Sequence, residues 1–248
     1  MNGDFGDDQL DQEENDNNHD GDYLPRRGVD YANIEPSTLN SLFKIKLRYW
    51  YTSLLVILVV LSLVMIGSIT TPRWSEQGSG GHKWRSGILK CGGCQGRWEN
   101  KFISEILEDA KDNDIKGWEN TFTKLYTGGI IYVLFESLAL LMCVIWITYI
   151  SFLLMQKRIF RDLGIYIVML LTLVMHSIAI AGWFGSTEAS FEGNCDNLPG
   201  YEDDDYDICA THGPSMSIFI EIFLFILAIS FLTIFRNRRN SVKQSRIG

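Results

Sequence analysis

Four stretches of the chain, about 51–70, 128–154, 163–184 and 216–235, are almost purely apolar, and polar sequence separates each from the next. A helix crossing the hydrocarbon of a bilayer needs about 20 mostly apolar residues, so every one of these stretches is long enough to span. The pattern predicts four transmembrane helices joined by a long loop at about 71–127, a short turn, and a second loop at about 185–215. Basic residues flank the stretches, which argues against a soluble bundle of buried helices. Orientation follows from those flanks, because Lys and Arg accumulate on the cytoplasmic side. Lys44, Lys46 and Arg48 precede the first stretch. Lys157, Arg158 and Arg161 fill the turn between the second and third, and Arg236, Arg238, Arg239, Lys243 and Arg246 follow the fourth. With four spans all three places fall on one side. Both termini are then expected in the cytoplasm and both loops outside, and the first helix serves as signal anchor because no cleavable signal peptide precedes it.

The polar segments differ among themselves. Residues 1–43 are rich in Asp, Glu, Asn and Gly and read as a disordered acidic tail, since such a segment buries too little apolar surface to offset its ordering entropy. The tetraspan domain is expected over 44–240, with a basic tail at 241–248. In the first loop, glycines interleaved with Trp74, Trp84 and Trp98 suit short strands and tight turns over aromatic anchors. Farther on, Phe102, Ile103, Ile106, Leu107 and Ala110 recur at helical spacing, which predicts an amphipathic helix at about 100–112. The fold class expected is an all-α membrane protein, a bundle of four transmembrane helices with a small extracellular β-sheet and a short helix in the first outer loop. The second loop carries Glu188, Glu192, Asp196, Glu202, Asp203, Asp204, Asp205 and Asp207 without a Lys or Arg, and reads as a solvated acidic surface. Calcium is the lesser reading there, because the run lacks EF-hand spacing. The formal net charge of −8 comes largely from the tail and this loop and says nothing of nucleic acid, which is not an expected partner.

Three sets of residues carry candidate chemistry. Glu136, His176 and Glu221 are the ionisable groups within the apolar stretches, each roughly 9–14 Å below the outer end of its helix at 1.5 Å per residue. An intramembrane ionisable group is a functional candidate by default. A hydrogen-bonded packing cluster is the plainer reading, and an ion-related role the sharper one. Cys91, Cys94, Cys195 and Cys209 all fall in the two loops, where an oxidising compartment favours disulfides. Four cysteines allow three pairings. Cys91-Gly92-Gly93-Cys94 also has the spacing of a redox dithiol. A membrane thiol oxidase of the DsbB type shares this four-helix topology, with a Cys-x-x-Cys in the first outer loop and a cysteine pair in the second. Against that reading, Cys94 stands more than thirty residues before the second apolar stretch, far from where a membrane quinone would dock. Four thiolates holding zinc is a weaker reading still. Cys143, inside the second stretch, is most simply a small apolar residue.

Pro72-Arg73-Trp74 directly after the first stretch, followed by Gly87-Ile88-Leu89-Lys90-Cys91 and Cys94, resembles the Trp…Gly-Leu-Trp…Cys…Cys signature of the claudin, peripheral myelin protein and stargazin-like superfamily. Trp74, Gly87, Leu89, Cys91 and Cys94 take the matching positions, with Leu89 where the family usually has Trp and the cysteines closer together than usual. The resemblance implies a left-handed four-helix bundle bearing a small outer β-sheet, with the two first-loop cysteines joined. It implies no reaction, cofactor or metal. It implies instead a non-enzymatic plasma-membrane protein whose outer loops, with Trp74, Trp84 and Trp98 as anchors, contact another membrane protein. Two roles compete, auxiliary subunit of a channel or receptor and cell-junction component. The closing Gln244-Ser245-Arg246-Ile247-Gly248 has no recognisable scaffold-binding ending, which favours the auxiliary role.

Overall fold

The computed structural model describes residues 47–78, 84–94, 96–155, 162–191 and 208–247. Four long helices dominate it: α1 (Leu47–Thr70), α3 (Lys116–Leu154), α4 (Asp162–Thr187) and α5 (His212–Ile247). All four are long and apolar enough to cross a membrane, and the chain is read as an integral membrane protein. Their outward side chains fit that solvent. Val56, Val60 and Leu63 on α1, Leu134, Leu141 and Val144 on α3, and Phe219, Ile222 and Phe225 on α5 are all exposed, as lipid-facing residues would be.

The core between the helices is layered. At one end Tyr51, Leu58, Trp146, Tyr149, Ile150, Leu224 and Phe231 form the main apolar cluster. At the other, Tyr132, Ala179 and Trp183 meet Trp74 and Ile88 of the first loop. Glycines set the closest helix contact. A Cβ on Gly182 would lie 2.4 Å from Ile131 Cγ2, and one on Gly128 would lie 2.9 Å from Thr187 Cγ2, so α3 and α4 approach at their backbones.

Between α1 and α3 the chain forms a small cap. Strands β1 (Ser75–Gln77) and β2 (Trp84–Ser86) pair antiparallel, with Ser75 opposite Ser86, Glu76 opposite Arg85 and Gln77 opposite Trp84. Cross-strand Glu76 and Arg85 form an ion pair at 3.0 Å. Single bridges widen this sheet on both sides: Ser86 with Cys91 and Lys90 with Phe102 on one, Ser75 with Ala210 and Cys209 with Ser190 on the other. A short helix α2 (Ile103–Asp112) follows, its apolar face of Ile103, Ile106 and Ala110 buried. The amphipathic segment expected at about 100–112 is this helix, and it packs inward on the cap.

Helix α3 starts at Lys116, about a dozen residues before the apolar stretch that marks it in the sequence. This extension stands outside the apolar span and forms the cap's back wall. Trp118, Phe122 and Leu125, one turn apart, pack against Trp84, Trp98, Ile103 and Ile106. The Trp118 and Phe122 rings stack at 5.5 Å. The polar residues between them, Glu119, Asn120, Thr123 and Lys124, face away and hide the helix from a hydropathy reading.

Candidate functional site

Trp74 is the joint between cap and bundle. Its indole is buried at 1% exposure, with its ring centroid 4.4 Å from that of Tyr132 and 5.0 Å from that of Trp183. Its Nε1–H donates to the Ser68 carbonyl at 2.6 Å, satisfying the one polar atom of the ring. Its backbone ties both loops together. Trp74 N–H donates to Ser86 O, and Trp74 O accepts from Thr211 N–H at 3.1 Å. Gly213 makes room, since a Cβ there would sit 2.6 Å from three atoms of the indole.

Cys91 and Cys94 are joined to each other, with Cα atoms 5.6 Å apart. The bond clasps a turn whose backbone is already fixed: Cys91 N–H donates to Lys101 O, Asn100 N–H to Cys91 O, and Gly93 N–H to Arg85 O. Cys91 is 0% and Cys94 4% exposed, packed with Trp84, Ile103, Ile106, Phe122, Leu125 and Ile208. Thiol exchange needs an attacking thiolate to reach a sulfur, and burial denies that approach. The folded protein is expected to exchange these sulfurs with added dithiol no faster than the cap opens, which timed alkylation of the native protein measures. Cys209 is also disulfide-bonded, whereas Cys195, like the acidic run Glu192 to Asp207, lies outside the described residues. Cys143 is a free, buried thiol in α3.

The remaining first-loop residues divide between joint and cap core. Gly87 lies so close to α1 that a Cβ would meet Thr71 O at 2.9 Å, and partly buried Leu89 packs beside Trp74. Trp84 and Trp98 belong to the cap core. Trp98 Nε1–H donates to the Asp109 carboxylate on α2, which also pairs with Arg97 at 2.9 Å.

Two of the three intramembrane ionisable groups, Glu136 and His176, are brought into direct contact, and Glu221 bonds elsewhere. Glu136 and His176 are both fully buried, with Oε2 and Nδ1 2.5 Å apart. His176 Nε2 lies 3.0 Å from the Ser217 carbonyl, which can only accept, so Nε2 carries a proton. One further proton lies between Nδ1 and the carboxyl. Wherever it sits, the pair has zero net charge, the state that hydrocarbon tolerates best. Glu221 acts electrostatically on the same imidazole and accepts a 2.7 Å hydrogen bond from Ser177.

Around this pair runs a polar thread that touches every spanning helix. The Tyr132 hydroxyl of α3 lies 3.0 Å from Ser68 Oγ of α1 and 2.8 Å from Ser217 Oγ of α5, and the Ser217 carbonyl accepts a hydrogen bond from His176 Nε2–H of α4. Tyr132, Ser68 and Ser217 are absent from the sequence-derived candidates. Their signal was spacing, since Tyr132 and Ser217 stand one turn before Glu136 and Glu221 respectively. The imidazole reaches the Ser217 carbonyl, whereas its hydroxyl donates to Gly213 O. Through these contacts the arrangement links all four spanning helices. Among the described residues no three His, Cys, Asp or Glu side chains converge as a metal site would require.

A second tie joins α3 to the cap end of α4, where Lys124 Nζ lies 2.5 Å from the Glu188 carboxylate. Hydrogen bonding and charge from Lys124 hold the Glu188 carboxyl below the usual carboxylate range. A carboxylate with a lowered folded-state value adds stability above its unfolded value and loses it as pH falls through the folded one. The protection of amides at 186–190, taken relative to their intrinsic exchange rate at each pH, is therefore expected to fall as pH drops below about 4, and Lys124→Met removes that step.

No protein-family model matches the chain, and no curated protein or solved structure does either.

Proposed function

We propose that the chain is a non-enzymatic, claudin-like tetraspan protein of the plasma membrane, with cytoplasmic termini and the cap outside. The cap binds another membrane protein, and the role favoured is auxiliary subunit of a channel or receptor rather than cell-junction component. One observation carries this reading: residues of both loops form a single sheet-like unit, Ser190 to Cys209 to Ala210 to Ser75 to Ser86 to Cys91, held on the bundle through Trp74. A unit fixed in this way presents one preformed surface, which lowers the ordering cost of binding. Phe102 and Phe191, one from each loop, are about half exposed on it. Burial of the Cys91–Cys94 bond supports a clasp and weighs against the thiol-oxidase alternative.

Copurification from native membranes in mild detergent tests the proposal. The wild-type chain is expected to bring down one other membrane protein in near-stoichiometric amount, and Phe102→Asp with Phe191→Asp is expected to lose it while the chain itself stays folded. Recovery of the chain alone, or a partner indifferent to both changes, would count against it.

A further inference from the structure

At the end of the bundle away from the cap, α5 does not stop where its apolar span does. The span closes at Ile234, whereas the helix runs unbroken to Ile247, about 20 Å farther at 1.5 Å per residue. This extension carries Arg236, Arg238, Arg239, Lys243 and Arg246 and no Asp or Glu. Arg236, Arg239, Lys243 and Arg246 recur at three- and four-residue intervals, which places them within about 80° of one another around the helix. Ser241 falls on the opposite face. Like charges one turn apart repel, so the basic face calls for a counterpart of opposite sign.

Lipid headgroups answer only part of that call. The headgroup layer on each side of the hydrocarbon is about 5–8 Å deep, and Lys243 and Arg246 stand about 14 and 18 Å beyond Ile234. Their counterpart lies in the water beyond the lipid. The chain itself carries one on the same side. Four spans put both ends of the chain together, and α1 starts beside α5, with the Tyr51 and Phe231 rings 6.4 Å apart. Upstream of α1, Asp4 to Asp22 hold nine carboxylates and no Lys or Arg. The 24 residues 23–46 join this segment to Leu47. A flexible tether of that length covers about 25–30 Å, more than the length of the extension, and such tethering amounts to a millimolar local concentration.

We propose that residues 4–22 dock on the face of the α5 extension marked by Arg236, Arg239, Lys243 and Arg246, as an acidic peptide held by charge within one chain. The docking involves neither the cap nor its partner, and it does not depend on which side of the membrane the termini occupy. A docked segment occupies the face that any other acidic ligand of this helix needs.

Carbodiimide crosslinking of the full chain in phosphatidylcholine nanodiscs tests this, because Lys243 is the one lysine of the extension and residues 4–22 supply carboxylates. Mass spectrometry locates the amides formed, and mixing light with heavy-isotope protein separates links within a chain from links between copies. Links from 4–22 to Lys46, at the start of α1, serve as the reference. Relative to it, a strong link to Lys243 within one chain is expected. That link should fall about tenfold on Arg236→Glu with Arg239→Glu and Arg246→Glu, and by a similar factor in 1 M salt. Moving the amine to the opposite face, by Lys243→Gln with Ser241→Lys, is expected to lower the yield about fivefold, because the two positions lie roughly half a turn apart. In nanodiscs rich in phosphatidylserine the link should persist. Links between copies alone, no link to Lys243, a yield indifferent to charge reversal and salt, equal yields from the two faces, or loss of the link to anionic lipid would each overturn the proposal.

Discussion

His176→Leu is expected to cost about 3–5 kcal/mol of unfolding free energy, because it strands a fully buried carboxyl. Oε1 of Glu136 already lacks a hydrogen-bond partner among the described residues. Losing Nδ1 leaves the other oxygen, at 0% exposure, without its 2.5 Å contact as well. The double replacement His176→Leu with Glu136→Leu is expected to cost less than His176→Leu alone, since removing both members of a buried pair leaves no orphaned polar group. Glu136→Gln should be mildest: its amide N–H donates to Nδ1 while Nε2 keeps its bond to Ser217, for a loss of about 1 kcal/mol. Denaturation of the purified protein by detergent titration reads all three. A double replacement that costs as much as His176→Leu alone, or more, would show that the residues do not act as a pair.

The second large effect lies at the joint. A Cβ on Gly129 would come within 2.3 Å of the Ile88 carbonyl oxygen, and one on Gly213 within 2.6 Å of the Trp74 ring. The obstacle at Gly129 is backbone and cannot rotate away. At Gly213 it is a buried indole held by its own hydrogen bond. Gly129→Val and Gly213→Val are each expected to destabilise the cap by about 3 kcal/mol. Amide exchange should rise across 84–94 and 208–211 while the half of the bundle around Trp146, away from the cap, stays protected. Gly67→Ala and Gly185→Ala are the matched controls, because nothing lies within 4 Å of either Cβ, and alanine favours the helix by about 1 kcal/mol over glycine. Equal exchange in all four variants would mean that the cap is not seated through these glycines.

The spanning helices were legible because an apolar run of about 20 residues has few other uses. The α3 extension was not, because Lys116 to Thr127 alternates apolar with polar residues and its Trp118, Phe122 and Leu125 make sense only against Trp84 and Trp98, far away in sequence. Depth could be counted along each helix, so Glu136, His176 and Glu221 stood out at similar levels. Helix rotation has no such count, and the pairing of Glu136 with His176 needed the packing of α3 on α4. The first-loop cysteine pairing was one of three open arrangements, and only the turn geometry distinguishes Cys91–Cys94 from a bridge between loops. The widening of the sheet by Cys209 and Ala210 had no local signal, because those residues pair with Ser190 and Ser75 across long separations.

Whether the two loops act as one recognition unit is read most directly by photoreactive substitution at Phe102 and, separately, at Phe191 in intact native membranes. The joined sheet predicts that both positions, one from each loop, crosslink to the same membrane protein and that Gly129→Val abolishes both adducts together. Different partners from the two positions, or lipid alone from both, would contradict it.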